Sequence, residues 1–350
     1  MKNLRIVPLV MAGVLLSCSA AEHGELSLHQ SALVADMHSD TALRMLRGFD
    51  FSQRDSTGHM DIPRLREGGI DLQAFACWVS TDMPPDECLP RIELMIDSLD
   101  SQIARNPDKI GLCRTASEAL DLIDAGKIAA LLAIENGVAI AGDLDNLQHF
   151  YDRGVRILTL THTASSDWCI SSADTMPAFP GLTDFGRSVV QKMNALGMIV
   201  DVSHASPEAV AEVLRITSDP IIASHSCVRA LCDHDRNLTD DQIRTIAANG
   251  GVIGINFYNG YLADEWNERT DAAYDARRAE IDSLSELYKD DDTKRREAMW
   301  EIRRAVRAEL ANVRVDVGTV VDHIDYIVRV VGPDYVGLGS DFDGVGSLPD

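Results

Sequence analysis

Residues 197–204 read Gly197-Met198-Ile199-Val200-Asp201-Val202-Ser203-His204, a short apolar run rich in Val and Ile that ends on polar residues. The stretch before it opens at Thr183 and closes at Gly197, a cap residue and a helix-ending glycine. The stretch after it opens with Ser206-Pro207, which puts proline at the first helical position. A strand apolar on both faces with a helix on either side is the unit of a parallel sheet covered on both faces. The unit recurs. Comparable runs are Val34–Met37, Ile70–Val79, Ile128–Ile134, Val155–Thr161, Pro220–Ala223, Gly251–Phe257 and Tyr335–Gly339. Thr115 with Glu118 three residues on, and Gly126 at the far end, marks another intervening helix. Eight such units in one chain predict an α/β fold of the (β/α)8 barrel type, a TIM barrel, rather than an open doubly wound sheet. No G-x-G-x-x-G follows the first run and no Walker A sequence is present, so nucleotide-binding folds lose their main support.

Composition agrees with a globular chain. Of 350 residues, 45% are hydrophobic and 25% charged, a balance that excludes disordered and fibrous classes. The net charge of −23 argues against nucleic acid or anionic lipid headgroups as the main partner, since both need a basic footprint. The N-terminus has a different logic. Lys2 and Arg5 precede an apolar run, Ile6–Leu16, too short to span a bilayer comfortably, and Leu15-Leu16-Ser17-Cys18 follows. Residues 1–21 are expected to be a secretory signal and short linker, of the lipoprotein kind with Cys18 as the lipidated residue. A plain signal cut after Ala20 or Ala21 is the alternative. Either makes the protein exported, membrane-anchored only through that lipid. The six other cysteines form no C-x-x-C pair, so a zinc ribbon or a thioredoxin-type motif is not expected. Buried free thiols are the simpler reading, with one disulfide allowed.

A single catalytic barrel is expected over 30–350, with two departures from the minimal form. Ala263 to Arg314 is long, highly charged and poor in β-formers, which suggests helices at the barrel mouth or a solvated surface hairpin. The chain also stops soon after the eighth run, with no eighth helix, so the barrel is expected to lack its C-terminal end.

Barrel active sites sit at the C-terminal ends of the strands. Those positions carry His38 and Asp40, Glu135, His162, His204, His225, Tyr258 and Asp341. A lone histidine at a strand end is usually a satisfied polar residue. Four of the ten histidines on four different strand ends, with carboxylates on three, are harder to dismiss. Imidazole plus carboxylate suits Zn2+ and related ions. His38 and Asp40, at i and i+2 of an extended segment, point to one face. Five or six ligands with a carboxylate able to bridge suggest two ions about 3.5–4 Å apart, which generate hydroxide near neutral pH and polarise a carbonyl.

The chain resembles the membrane (renal-type) dipeptidases, zinc peptidase family M19. The stretches that carry the resemblance are Asp36–Asp40, Ile134–Gly137, Leu158–His162, Gly197–His204, Ser224–Ser226, Asp235–Asn237, Asn256–Tyr258 and Gly339–Gly344. They occur in the family's order across nearly the whole chain. The resemblance implies an exported dipeptidase with two Zn2+ per chain, hydrolysing dipeptides through a metal-bridging hydroxide. His38 and Asp40 would hold one zinc, His204 and His225 the other, and Glu135 would bridge them. His162 would bind substrate and stabilise the oxyanion. Arg236 would pair with the C-terminal carboxylate, helped by Tyr258, and Asp341 would carry the proton. Read without the resemblance, Arg236, flanked by Asp233 and Asp235, is a surface ion pair. No cysteine follows His162 or Tyr258 closely, so the vertebrate members' disulfides are not expected. Two other functions compete: a related metal-dependent amidohydrolase acting on a lactam, lactone or N-acyl amino acid, and a non-enzymatic lipoprotein that binds peptides or metal. Arg236 favours a substrate with a free carboxylate, and Asp341 favours an enzyme over a binder. The sequence leaves the oligomeric state open, a homodimer included.

Overall fold

The computed structural model describes residues 28–350; the expected signal segment, with Cys18, lies outside them. Among the described residues are nine strands: β1 (Ala35–Asp36), β2 (Leu72–Trp78), β3 (Ile110–Cys113), β4 (Ile128–Glu135), β5 (Val155–Thr159), β6 (Ile199–Asp201), β7 (Ile222–Ala223), β8 (Val252–Ile255) and β9 (Val336–Leu338). Every pairing between these strands is parallel. β1 pairs with β2 and β9, β2 with β4, and each of β4 through β8 with its successor, which closes an eight-stranded barrel flanked by helices. This is the (β/α)8 barrel that the recurrent unit predicts.

The ninth strand, β3, is the feature that the apolar runs do not reveal. It pairs only with the first half of β4, from Ile110↔Ile128 to Cys113↔Leu131, on the edge that β5 does not reach until Leu132↔Val155. β3 therefore fills the gap left by a β4 longer than its neighbour. Its sequence, Ile110-Gly111-Leu112-Cys113, is too short to read as a strand, and it lies between two helices, Pro85–Arg105 and Ala116–Asp124.

The helices end where their side chains dictate. Thr115 accepts from Glu118 N–H, Thr183 from Gly186 N–H and Ser206 from Ala209 N–H, each satisfying an otherwise orphaned donor. Between strands and helices lies the main apolar layer, with Phe75, Cys77, Ile134 and Phe150 fully buried. The barrel interior is lined by smaller residues, Ala74, Ala76 and Ala133, packed with Ile157, Ile199 and Ile222. Strand parity then fixes the mouth. Ala133 faces inward, so Glu135 does too, and Ala76 places Trp78 beside it through the Trp78↔Glu135 register.

Residues 263–314 hold three helices, Asp264–Asp275, Arg278–Leu287 and Asp292–Leu310. Trp266, Ala273, Ile302, Val306 and Leu310 are buried and join the main core, so the segment is a packed excursion and not a solvated hairpin. Cys77, Cys88, Cys113, Cys169, Cys227 and Cys232 are all buried and unpaired. Among the described residues, no helix is long and apolar enough to cross a membrane.

Candidate metal centre

Glu135, at the end of β4, has a side chain only 4% exposed. An isolated buried carboxylate is very costly, and four imidazoles surround this one. His204 Nε2 lies 3.1 Å and His225 Nε2 3.3 Å from Oε1, His162 Nε2 3.7 Å from the same oxygen, and His38 Nε2 3.7 Å from Oε2. Asp40 Oδ2 is 3.6 Å from His38 Nε2. Asp341 shares ligand-range proximity with His38 and Asp40. The structure thus brings together His38, Asp40, Glu135, His162, His204, His225 and Asp341.

The charges in this nest pull against one another. Burial pushes the Glu135 carboxyl up, but the His162 and His38 charges and hydrogen bonds from His204 and His225 hold it well below its ordinary range. Burial likewise lowers His38, which Glu135 and Asp40 more than offset, leaving it well above a usual imidazole. Burial, with Arg236 nearby, pushes His204 well down, and burial, with the His38 charge, takes His225 to about 3. Asp341 is pushed well above the carboxylate range, by burial and then by Asp40 and Glu135.

Three observations fit divalent cations to these residues. His38 Nε2 is buried with no hydrogen-bond partner, though it faces two carboxylates. His204 Nε2 and His225 Nε2 face each other at 3.0 Å while both face the same carboxylate oxygen. Two neutral imidazole nitrogens so placed can share at most one proton, so hydrogen bonding alone leaves the set unsatisfied. The donor set is nitrogen and carboxylate oxygen, which zinc and its neighbours favour.

A supporting layer holds the candidate ligands. Asp201 accepts from Thr159 Oγ1 and Ser224 Oγ, each at 2.6 Å, and from the backbone N–H groups of Ser203 and Ser224. Ser224 Oγ is 2.7 Å from His225 Nδ1. With Ser224 donating to Asp201, its oxygen accepts a hydrogen bond from His225 Nδ1–H, which leaves Nε2 without a proton and free to face a cation. Asp36 plays the same part across β1 and β9, accepting from Ser340 N–H at 2.8 Å, Ser340 Oγ at 2.5 Å and His38 N–H at 3.3 Å. His204 and Asp341 sit at φ 68° and 60°, left-handed backbone that costs non-glycine residues energy and is common where geometry serves chemistry. Gly344 has to be glycine here, because a Cβ there would lie 2.2 Å from both Asp341 Oδ1 and Asp40 Oδ2.

Arg236 is not a surface ion pair. It is buried, with Nη1 donating to Ser226 Oγ at 3.1 Å and Nη2 to His225 O at 2.9 Å, and its Nε has no partner. Asp233 and Asp235 pair with Arg229 instead. The ring beside Arg236 is Tyr261, with the guanidinium 5.4 Å from its centroid. Tyr258 stacks edge-on against Tyr261 at 4.9 Å. Both tyrosines line a cavity of about 790 Å3 that opens over Asp40, Glu135, His162 and Asp341; Arg236 lies behind that lining. Sequence reading missed Tyr261, and it missed Trp78, which lines the same cavity 5.5 Å from the His162 ring. The signal for Trp78 was its place at the end of a strand to which no site residue had been assigned. Asn256, which donates to Asp341 Oδ2 at 2.9 Å, was visible only as part of a motif.

A parallel barrel whose strand ends converge nitrogen and carboxylate donors on one buried glutamate defines a metal-binding (β/α)8 barrel. The Membrane dipeptidase family profile (Peptidase family M19) matches residues 23–350, and the chain belongs to that family. It is 28% identical to Dipeptidase 3 of Mus musculus over 93% of this chain and 57% of the mouse protein. It is 30% identical to Dipeptidase 3 of Homo sapiens over 84% of this chain and 51% of the human protein. The chain thus spans little more than half the length of these relatives. Among solved structures it is similar to PvdM of Pseudomonas aeruginosa (28% identity, TM-score 0.78, 94% of this chain and 88% of that one). It is also similar to a metallopeptidase of Rhodobacter sphaeroides liganded with a phosphinate mimic of L-Ala-D-Ala (26% identity, TM-score 0.72, 91% and 88%).

Proposed function

We propose that the protein is an exported dinuclear zinc dipeptidase, anchored to the membrane through a lipid on Cys18. The observation that carries the reading is the convergence of His38, Asp40, His204 and His225 on Glu135. His38 and Asp40 would hold one ion, His204 and His225 the other, with Glu135 between them. When bound, such a pair supplies a nucleophile at neutral pH and polarises the scissile carbonyl.

The remaining work falls to side chains of the chain itself. His162 is partly exposed, with Nδ1 fixed at 3.1 Å from Thr163 Oγ1 and Nε2 turned to the cavity floor. It is placed to donate to the oxygen of a substrate carbonyl as negative charge develops there. Arg236 Nε, buried and unpaired behind the lining, would donate to the substrate's C-terminal carboxylate once the neighbouring Tyr261 ring gives way. Guanidinium and carboxylate match in geometry, and the charge-assisted bond is strong. Asp341 lines the cavity, is steadied by Asn256, and holds its proton more tightly than an ordinary carboxyl. That suits a group that takes a proton from the nucleophile and returns it to the leaving amine. The dipeptide mimic held by the Rhodobacter sphaeroides relative supports dipeptides as the substrate class.

The test is a dipeptide library on zinc-reconstituted protein, with L- and D-residues at the second position and each dipeptide also supplied C-terminally amidated. Free dipeptides should be cleaved. The amides should lose about ten- to a hundred-fold in kcat/KM, the range for removing a charged hydrogen bond. Equal rates on free and amidated substrates would take Arg236 out of the site.

A further inference from the structure

The outer wall of the cavity belongs to the helical excursion, through Arg303 and Arg307 of the Asp292–Leu310 helix together with Trp266 and Tyr274. Neither arginine makes a hydrogen bond or ion pair with another described residue, whereas Arg277, Arg278 and Arg304 of the same excursion pair with Glu309, Asp275 and Glu301. The helix offers the two no acid of its own, since Met299 stands four residues before Arg303 and Ala311 four after Arg307. They are each other's i,i+4 neighbours, and like charges so placed repel. Arg307 rests against the backbone at Gly346, where a Cβ would meet its Nη2 at 2.2 Å, and its charge is felt at Tyr258. The cavity floor holds the opposite sign, with Asp40, Glu135 and Asp341, and two further carboxylates line the cavity, Asp343 paired with Arg44 and Asp350 beside Arg314.

A dipeptide bound as proposed uses the floor for its amide and Arg236 for its terminal carboxylate. Nothing in that scheme uses the cationic wall. We propose that Arg303 and Arg307 form a subsite for a second anionic group on the substrate, so that the preferred dipeptides carry an aspartate or glutamate side chain. An anion between the two guanidiniums relieves their repulsion and is held away from the acidic floor. This inference rests on the dipeptidase reading of the same site.

The test compares charged and isosteric neutral substrates, Glu-Ala with Gln-Ala and Ala-Glu with Ala-Gln. The zinc-reconstituted proteins are wild type, the double variant Arg303→Gln/Arg307→Gln, and Arg304→Gln as a same-helix control. Each protein is judged by its own ratio of kcat/KM, which cancels general damage. In one of the two pairs, wild type should favour the charged dipeptide by about three- to tenfold, as expected of solvent-screened ion pairs. The double variant should bring that ratio to one, and Arg304→Gln should keep it. Calorimetric titration of the same four dipeptides reads the preference from binding alone. If binding shows the arginine-dependent preference but nothing is hydrolysed, the subsite stands and the dipeptidase reading fails. Ratios at or below one in both pairs for wild type, or a preference that the double variant retains, would overturn the subsite.

Discussion

Asp341 touches more of the site's logic than any other residue. It lies beside His38 and Asp40, accepts from Asn256, and sits on left-handed backbone at φ 60°. Its proximity to His38 and Asp40 is that of a ligand, while a carboxyl that burial and neighbouring carboxylates push upward suits an acid–base group. Asp341→Asn separates the two. The amide is nearly isosteric, so the variant should keep its fold and bound zinc, keep KM within a few-fold, and lose about 10²- to 10⁴-fold in kcat. Depleted zinc would make Asp341 a ligand, and near wild-type kcat with full zinc would sink the proton role. Ser224→Ala tests the supporting layer. It leaves His225 Nδ1 without its partner, and zinc affinity, measured by chelator competition, should fall about 10- to 100-fold. The candidate ligands were legible because each stands where an apolar run breaks into polar residues. Ser224, Asp36 and Asp201 were not assigned roles, because a side chain that orients a ligand leaves no spacing pattern of its own. Arg236 was legible only through the family resemblance. Its flanking aspartates point to a surface pair, and only the fold shows that Arg229 takes them.

At the scale of elements, the barrel was readable because eight apolar runs alternate with capped helices. β3 was not, because its pairing answers to the length mismatch between β4 and β5 and not to its own four residues. The strands pack so closely at the mouth that a Cβ at Gly339 would fall 1.8 Å from Ser224 O. Gly339→Ala should therefore push apart the segments that leave β9 and β7, lowering both thermal stability and zinc affinity, read by melting with and without chelator. His323, legible only as a surface or packing residue, is a buried staple of the Val317–Val331 helix. Its Nδ1 accepts from Val228 N–H at 3.0 Å and its Nε2 is 3.1 Å from Leu262 O. That pairing requires neutral imidazole. Burial lowers the His323 pKa in the fold, against the Leu262 carbonyl and Asp322 that raise it. The unfolded chain therefore binds the extra proton first, and stability should fall as pH drops below about 6.5. In zinc-loaded protein, the loss of Tm between pH 7 and pH 5 should be smaller for His323→Gln than for wild type. Equal slopes would remove His323 from the acid response.

For the whole molecule, strong negative charge and a buried nest of carboxylates and imidazoles make the fold depend on what fills its mouth. A ligand that binds only the folded state stabilises it by mass action. Chelation should therefore lower the melting temperature, and zinc should restore it. The barrel as a whole follows from patterning, and the excursion at 263–314 from its helix-forming composition. What composition does not reveal is that the exposed Arg303 and Arg307 border the cavity, since only packing of Ile302, Val306 and Leu310 onto the core sets that face. The central claim is that one glutamate joins two metal sites. Elemental analysis of zinc-reconstituted, dialysed protein tests it most directly. Wild type should hold two zinc ions per chain, and Glu135→Gln should lose both together, because an amide oxygen carries no charge to share between them. One zinc or none in wild type would contradict the account.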